Sequence, residues 1–204
     1  MSISLVAHGI RVDACGRSRQ WFAALACLRE WSTLGEEVSV VSIGAATNSL
    51  AQCALWKQAL QMLAASEAGT NTFVANAVLL ACCRSKLLGR AARLVQMMIQ
   101  YGPEPDAVTL NTLLGVYASE QLASEAQGLM ASAKTLSLEP NLLSFNLYLS
   151  AMQRSAKWTE SLLCLEEISS SDFKADAFTF NSVSAACMRT SQWRHGLEMT
   201  IQSD

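Results

Sequence analysis

No C-x-x-C spacing occurs in this chain, and only two histidines, His8 and His195, are present. A structural zinc site needs thiolates or imidazoles in close pairs, so neither a metal nor a cofactor is expected. The seven cysteines, with Cys82 and Cys83 adjacent, read instead as small buried hydrophobes of a reducing compartment. No apolar run approaches the roughly 18–20 residues that cross a bilayer, which argues against a membrane partner. The opening "MSISLVAHGI" has neither a charged leader nor a cleavage site, so no signal or targeting peptide is read there. Basic charge is not in excess either, since Lys and Arg number 15 against 17 Asp and Glu. That balance argues against indiscriminate binding to nucleic acid and is compatible only with a local basic stripe.

What the chain does have is a period. "SFNLYLSAMQRSAKW", Ser144 to Trp158, and "TFNSVSAACMRTSQW", Thr179 to Trp193, place hydroxyl, Phe, Asn, Arg and Trp at matching offsets, 35 residues apart. Self-similarity at this length marks stacked helical arrays. With the Asn as fifth residue, units begin at Leu5, Val40, Thr72, Ala107, Leu142 and Ala177. They span 5–39, 40–71, 72–106, 107–141, 142–176 and 177–204, the second short at 32 residues and the last truncated. Seventeenth positions include Trp21, Trp56, Trp158 and Trp193. Twentieth positions are all small: Ala24, Ala59, Ala91, Ala126, Ser161 and Gly196.

Each unit carries two helical patterns. Leu110, Leu113, Leu114 and Tyr117 follow the i, i+3, i+4, i+7 spacing of one buried face, and Phe145, Tyr148, Leu149 and Met152 repeat it. A second pattern follows in Trp56, Ala59, Leu60 and Leu63, and again in Trp158, Ser161, Leu162 and Leu165. Breakers such as "YGPEPD" and "SLEPN" separate units, and Asp106, Asn141 and Asp176 stand where a helix N-cap is wanted. Helices of about 12 residues are marginal alone in water, so each pair must bury its face on the next. The predicted fold is therefore all-α, an α-solenoid of about six antiparallel helix-turn-helix repeats forming a single array over 1–204. No polar capping helix closes the pattern, so further repeats or a protein partner are expected at its ends.

Asn76, Asn111, Asn146 and Asn181 fill the fifth position of four successive units, although Asn is a poor helix former. Such an amide could bond back to the backbone of its own helix. It could equally face outward along a concave surface, offering the donor and acceptor that match a nucleobase edge. Stacking sets Asn76 opposite Asp106, Asn111 opposite Asn141 and Asn146 opposite Asp176, a polar ladder of one rung per pair. Thirteenth positions Arg17, Arg84, Arg154 and Arg189 form a second column, suited either to phosphates or to the negative ends of their own helices.

These columns resemble the pentatricopeptide repeat family, with its 35-residue helix pairs, fifth-position Asn and unit-closing Pro-Asp or Pro-Asn. The resemblance runs from residue 5 to 204 and is strongest from Thr72 to Arg194, as in "TFVANAVLLACCRSKLLGRAARLV". It implies a right-handed superhelix that reads single-stranded RNA at one base per repeat. It also implies action on chloroplast or mitochondrial transcripts, through processing, stabilisation or translation. Carried over, Asn76 with Asp106 and Asn146 with Asp176 resemble uracil-preferring pairs, and Asn111 with Asn141 a pyrimidine pair leaning to cytosine. Asn181 has no partner residue in the chain. Phe73, Val108, Leu143 and Phe178 would flank the bases, and the thirteenth-position arginines would approach phosphates. Gly9 with Ser39 and Gly44 with Asn71 depart from the pattern and are expected to read weakly or not at all. No nucleophile–base pair or phosphate loop appears, His8 and His195 fall in different units, and Asp106 and Asp176 lie two units apart. No enzymatic activity is expected. The alternative is a protein-binding scaffold like a tetratricopeptide array, whose usual period is about 34.

Overall fold

Thirteen residues is the length of every described first helix in the computed structural model of this chain. The structure describes residues 40–53, 55–65, 72–136, 138–171 and 173–190, together with Ala14, Phe22, Ala23 and Ala26. Among the described residues there are nine helices and no strand: α1 Val40–Gln52, α2 Trp56–Ala65, α3 Thr72–Arg84, α4 Leu88–Tyr101, α5 Ala107–Ser119, α6 Ala123–Thr135, α7 Leu142–Arg154, α8 Trp158–Ser170 and α9 Ala177–Arg189. Two compact units result, Met1–Pro105 and Asp106–Asp204.

In the first unit α1 packs on α3, while α2 and α4 each pack against α3. Leu50, Val74, Val78 and Leu79 are fully buried there, with Ala59 and Ala91 at the small twentieth positions also at 0% exposure. Removing this much apolar surface from water stabilises the stack by roughly 1.5–3 kcal/mol for each large side chain. Arg90 of α4 lays its guanidinium 4.0 Å from the centre of the Trp56 ring of α2, a cation–π contact that ties the second helices of adjacent repeats. Trp56, at a seventeenth position, thus serves as a platform for the second helix of the next repeat.

The second unit repeats the same scheme. First helices α5, α7 and α9 pack in series, and α6 and α8 each contact both their own first helix and the next. One continuous core joins Leu110, Leu114, Phe145, Tyr148, Leu149, Met152, Leu165, Ile168 and Val183. Ala126 and Ser161, the small residues of the second helices, are completely buried, which lets the backbones approach. Phe173 in the α8–α9 connection tilts against Phe145 at a centroid distance of 6.1 Å, closing the core from the loop side. Cys82, Cys83, Cys164 and Cys187 are buried free thiols. Burial pushes the thiols of Cys83 and Cys164 up to about 12.

The turns between paired helices follow a rule that glycine does not mark. Lys86, Gln121 and Ala156, each the fifteenth residue of its repeat, have φ of 58°, 61° and 55°. The following N–H groups of Leu87, Leu122 and Lys157 donate back to the carbonyls of Cys82, Tyr117 and Met152, closing the end of each first helix. A left-handed L-residue costs about 1–2 kcal/mol, so Ala156→Gly is expected to stabilise the chain by about 0.5–1 kcal/mol after the entropy of glycine is counted. A rise in the midpoint of thermal unfolding checks this; a fall would mean that the Ala156 methyl is itself needed.

Candidate nucleic-acid interface

Each first helix of the second unit starts at an acidic or amide residue that closes the preceding repeat. Asp106, Asn141 and Asp176 are the N-caps of α5, α7 and α9, and each accepts from the backbone N–H three residues on. The residue that supplies that N–H, Thr109, Ser144 or Thr179, accepts in return from the N–H of the cap, completing a capping box. This third-position hydroxyl escaped the sequence reading as a site residue, although it opens both repeated stretches ahead of Phe-Asn.

The hydroxyl also reaches back one repeat. Thr179 Oγ1 lies 2.8 Å from Asn146 Oδ1 and 2.8 Å from Asp176 Oδ1. Asn146 Nδ2 donates to the Asp176 carboxylate at 3.3 and 3.5 Å. The neighbouring junction has the same build: Ser144 Oγ is 2.6 Å from Asn111 Oδ1, and Asn111 Nδ2 is 3.5 Å from Asn141 Oδ1. The two rungs Asn111–Asn141 and Asn146–Asp176 are thus brought together as the sequence suggested. The amides do not stand free in solvent, and these bonds run to the next helix, not back to their own. Asn146 is only 9% exposed and lies in the seam between first helices, while Asp176 and Asn141 are exposed. Seam placement follows from chemistry, because a buried amide must be paired and the next cap supplies both a donor and an acceptor.

The Asp176 carboxyl is held below its ordinary value of 3.8, first by the Thr179 backbone N–H, then by the Thr179 hydroxyl, with the Asn146 amide and the Phe178 N–H adding to this. Each of those groups favours the ionised form. In the first unit, Asn76 is buried in α3 at 7% exposure and Gly44 is buried in α1. Asp106 caps α5 in the second unit, and Asn181 is exposed on α9. Gly9, Ser39, Asn71 and Arg17 lie outside the described residues.

Three residues before each fifth-position Asn, on the same helix face, stands an apolar side chain that the core does not absorb. Phe73, Val108, Leu143 and Phe178 are 56, 56, 55 and 53% exposed. Within the second unit, Val108, Leu143 and Phe178 thus form a column of half-covered apolar surface beside the polar rungs, and Phe73 has the same exposure in the first unit. At the far end of the first helices, Arg84, Arg154 and Arg189 are exposed. Arg189 donates one N–H to the carbonyl of Arg154 at 3.3 Å, which ties it to the end of α7. Among the described residues no group of three or more His, Cys, Asp or Glu side chains converges as a metal site.

Residues 73–103, the helix pair α3–α4, match the PPR repeat model. No curated protein sequence matches the chain. Among solved structures, the pentatricopeptide repeat protein PPR10 in complex with an 18-nt psaJ RNA element superposes over 97% of this chain with a TM-score of 0.71 and 21% identity. The chain spans 28% of the length of that protein. PPR10 from maize, in a second structure, gives a TM-score of 0.53 at 13% identity over 95% of this chain and 38% of its own. The PPR domain of Arabidopsis thaliana protein-only RNase P 1 in complex with tRNA gives 0.66 at 12% identity, covering 90% of this chain and 95% of that domain. The chain therefore carries a pentatricopeptide repeat at α3–α4 and has the helical-repeat fold of pentatricopeptide repeat proteins.

Removing the bridging hydroxyl should loosen a whole junction. Thr179→Val keeps the shape but strips Asp176 and Asn146 of a shared partner, and is expected to cost about 1–3 kcal/mol in urea unfolding. The Asp176 carboxylate predicts a pH effect of definite sign. Its folded value is lowered, so its contribution is complete above about pH 4 and is lost as pH falls through the lowered folded value. Stability of Asp176→Asn, measured across about pH 2–5, should therefore fall less steeply toward acid than that of the parent chain.

Proposed function

We propose that this chain binds single-stranded RNA, one nucleotide per repeat, along the face that carries the second and fifth positions of its first helices. The observation that carries the reading is the pairing of a fixed polar rung with a half-exposed apolar neighbour at each junction. A base needs both: a π-face to cover and an edge to bond. The Asp176 carboxylate can only accept, so it favours the N3–H of uracil, and the spare N–H of Asn146 beside it suits a uracil carbonyl. At the other rung the Asn141 amide can donate, which suits N3 of cytosine. The rungs thus support a pyrimidine-preferring site with U at Asn146–Asp176 and C or U at Asn111–Asn141. Asn76 and Asn181 would act as the fifth-position readers of their own repeats.

Phe73, Val108, Leu143 and Phe178 would cover the bases, and Arg84, Arg154 and Arg189 would meet the phosphates. The reading assigns the chain to binding and not to catalysis, and to the handling of organellar transcripts in chloroplast or mitochondrion. The RNA-bound PPR10 and RNase P structures, whose fold it shares, support that class of ligand.

Titrating fluorescent single-stranded RNAs at several salt concentrations tests the proposal. Removing one arginine that neutralises a phosphate should flatten the logarithmic salt dependence by about 0.7. Arg84→Ala with Arg154→Ala should therefore reduce the slope by about 1.4 and weaken all sequences alike. An unchanged slope would remove these arginines from the backbone contact. Tight binding of a folded peptide in place of RNA would favour the scaffold reading.

A further inference from the structure

The seventh position of a repeat is a core position of its first helix. Ala46, Val78, Leu113 and Val183 fill it with aliphatic side chains at 1, 0, 4 and 1% exposure. The fifth repeat departs from this with Tyr148 of α7, 8% exposed. Its hydroxyl makes no hydrogen bond within the described residues. Buried polar groups are almost always paired, so a phenol at an aliphatic position needs a reason from outside the core. Tyr148 lies at the base of a groove of about 400 Å³, with Met130 of α6 on one side and Glu160, Leu163 and Glu167 of α8 on the other. Helices α6 and α8 both pack against α7. The three residues of α8 follow the i, i+3, i+7 spacing and so share one face of that helix.

The groove is acidic. None of its described lining residues is basic; Lys157 approaches Glu160 Oε1 at 4.0 Å, and Thr159 donates to Glu160 Oε2 at 2.6 Å. Burial pushes the Tyr148 hydroxyl up to about 12, with Cys164, Glu160 and Glu167 acting in the same direction. The phenol therefore stays protonated and keeps its lone pairs for a donor. Two carboxylates and a phenol oxygen beside an apolar wall suit an alkyl cation. A guanidinium carries five donors in a fixed fork and is less strongly hydrated than an ammonium, so it meets several acceptors at once. A phosphate strand would be repelled here. Leu163, 64% exposed beside the carboxylates, offers apolar surface to the residues that flank such a cation in a peptide. We propose that the groove is a docking site for an arginine side chain of a partner polypeptide, its guanidinium against Glu160, Glu167 and the Tyr148 oxygen and its stem against Met130 and Leu163. Arginine anchors seated in pockets commonly dominate such contacts. The inference goes beyond RNA binding and does not depend on it, because the groove and the polar rungs share no residue.

The test offers the immobilised 204-residue chain two pools of short peptides, randomised except for a central arginine or a central citrulline, its neutral isostere. The parent should retain the arginine pool at least about tenfold better, since hydrogen bonds to a charged group are the strong ones. Glu160→Gln with Glu167→Gln should abolish that difference. Tyr148→Phe, which keeps the ring in the core, should lower retention of the arginine pool by about tenfold. Its midpoint of thermal unfolding should not fall, because the hydroxyl has no partner to lose in the free chain. Equal retention of both pools by the parent would overturn the proposal, as would an undiminished arginine preference in the double variant. A lowered unfolding midpoint in Tyr148→Phe would show a hydroxyl already satisfied within the fold and would overturn it too. Agmatine, a free alkylguanidinium, should displace the retained peptides only weakly; binding as tight as that of the best peptide would overturn the polypeptide partner. Displacement of the peptides by single-stranded RNA would assign the groove to nucleic acid and contradict the inference.

Discussion

A single hydroxyl at the third position of a repeat joins two duties that would otherwise be separate. Thr179 completes the cap of its own helix and, through the same oxygen, meets the amide of Asn146 in the helix before. Ser144 does the same for Asn111. Burying an amide without partners costs about 1–3 kcal/mol, so the seam between first helices is held in register by polar contacts as well as apolar ones. An apolar stack alone tolerates sliding. A stack that must also close these bonds does not.

The consequence is that the direction of each rung is set by the fold itself. Asn146 is oriented by the start of α9, which engages both its carbonyl and its amide nitrogen. What the rung offers outward is the carboxylate of Asp176, exposed and held ionised below its ordinary range by the backbone of its own helix. A group already oriented loses little freedom on binding, which is how a small site gains selectivity. The second helices have a different task. Trp56 with Arg90 and the buried Ala126 and Ser161 set the spacing of the layers and leave the first helices to carry the chemistry.

Much of the fold could be read from the period, because a helix pair that cannot bury its face alone repeats its apolar spacing wherever it stacks. Leu110, Leu114, Phe145, Leu149 and Met152 fall in the core where their spacing puts them. Asp176 could be read as the partner of Asn146 from the stacking, but the burial of that amide was not legible, since its carbonyl is engaged by the Thr179 hydroxyl 33 positions away, which was not read as a site residue. The turns were opaque for another reason. Lys86, Gln121 and Ala156 adopt positive φ without the glycine that usually announces it, the strain being offset by the bonds that close the helix end. Gly44 could be seen as a departure from the Asn column, but the ring of the following repeat that lies beside it shows only in the packing of α1 on α3.

In the proposed RNA site, the exposed partner of each seam amide chooses the base. Asp176→Asn converts one rung to the composition of its neighbour while keeping a residue that can cap α9. Affinities of the parent chain and this variant for RNAs that differ by U or C at one nucleotide measure the claim directly. The expected result is a preference for U in the parent that moves toward C in the variant, with affinity for the rest of the strand retained. Equal affinities for both RNAs in both proteins would contradict it.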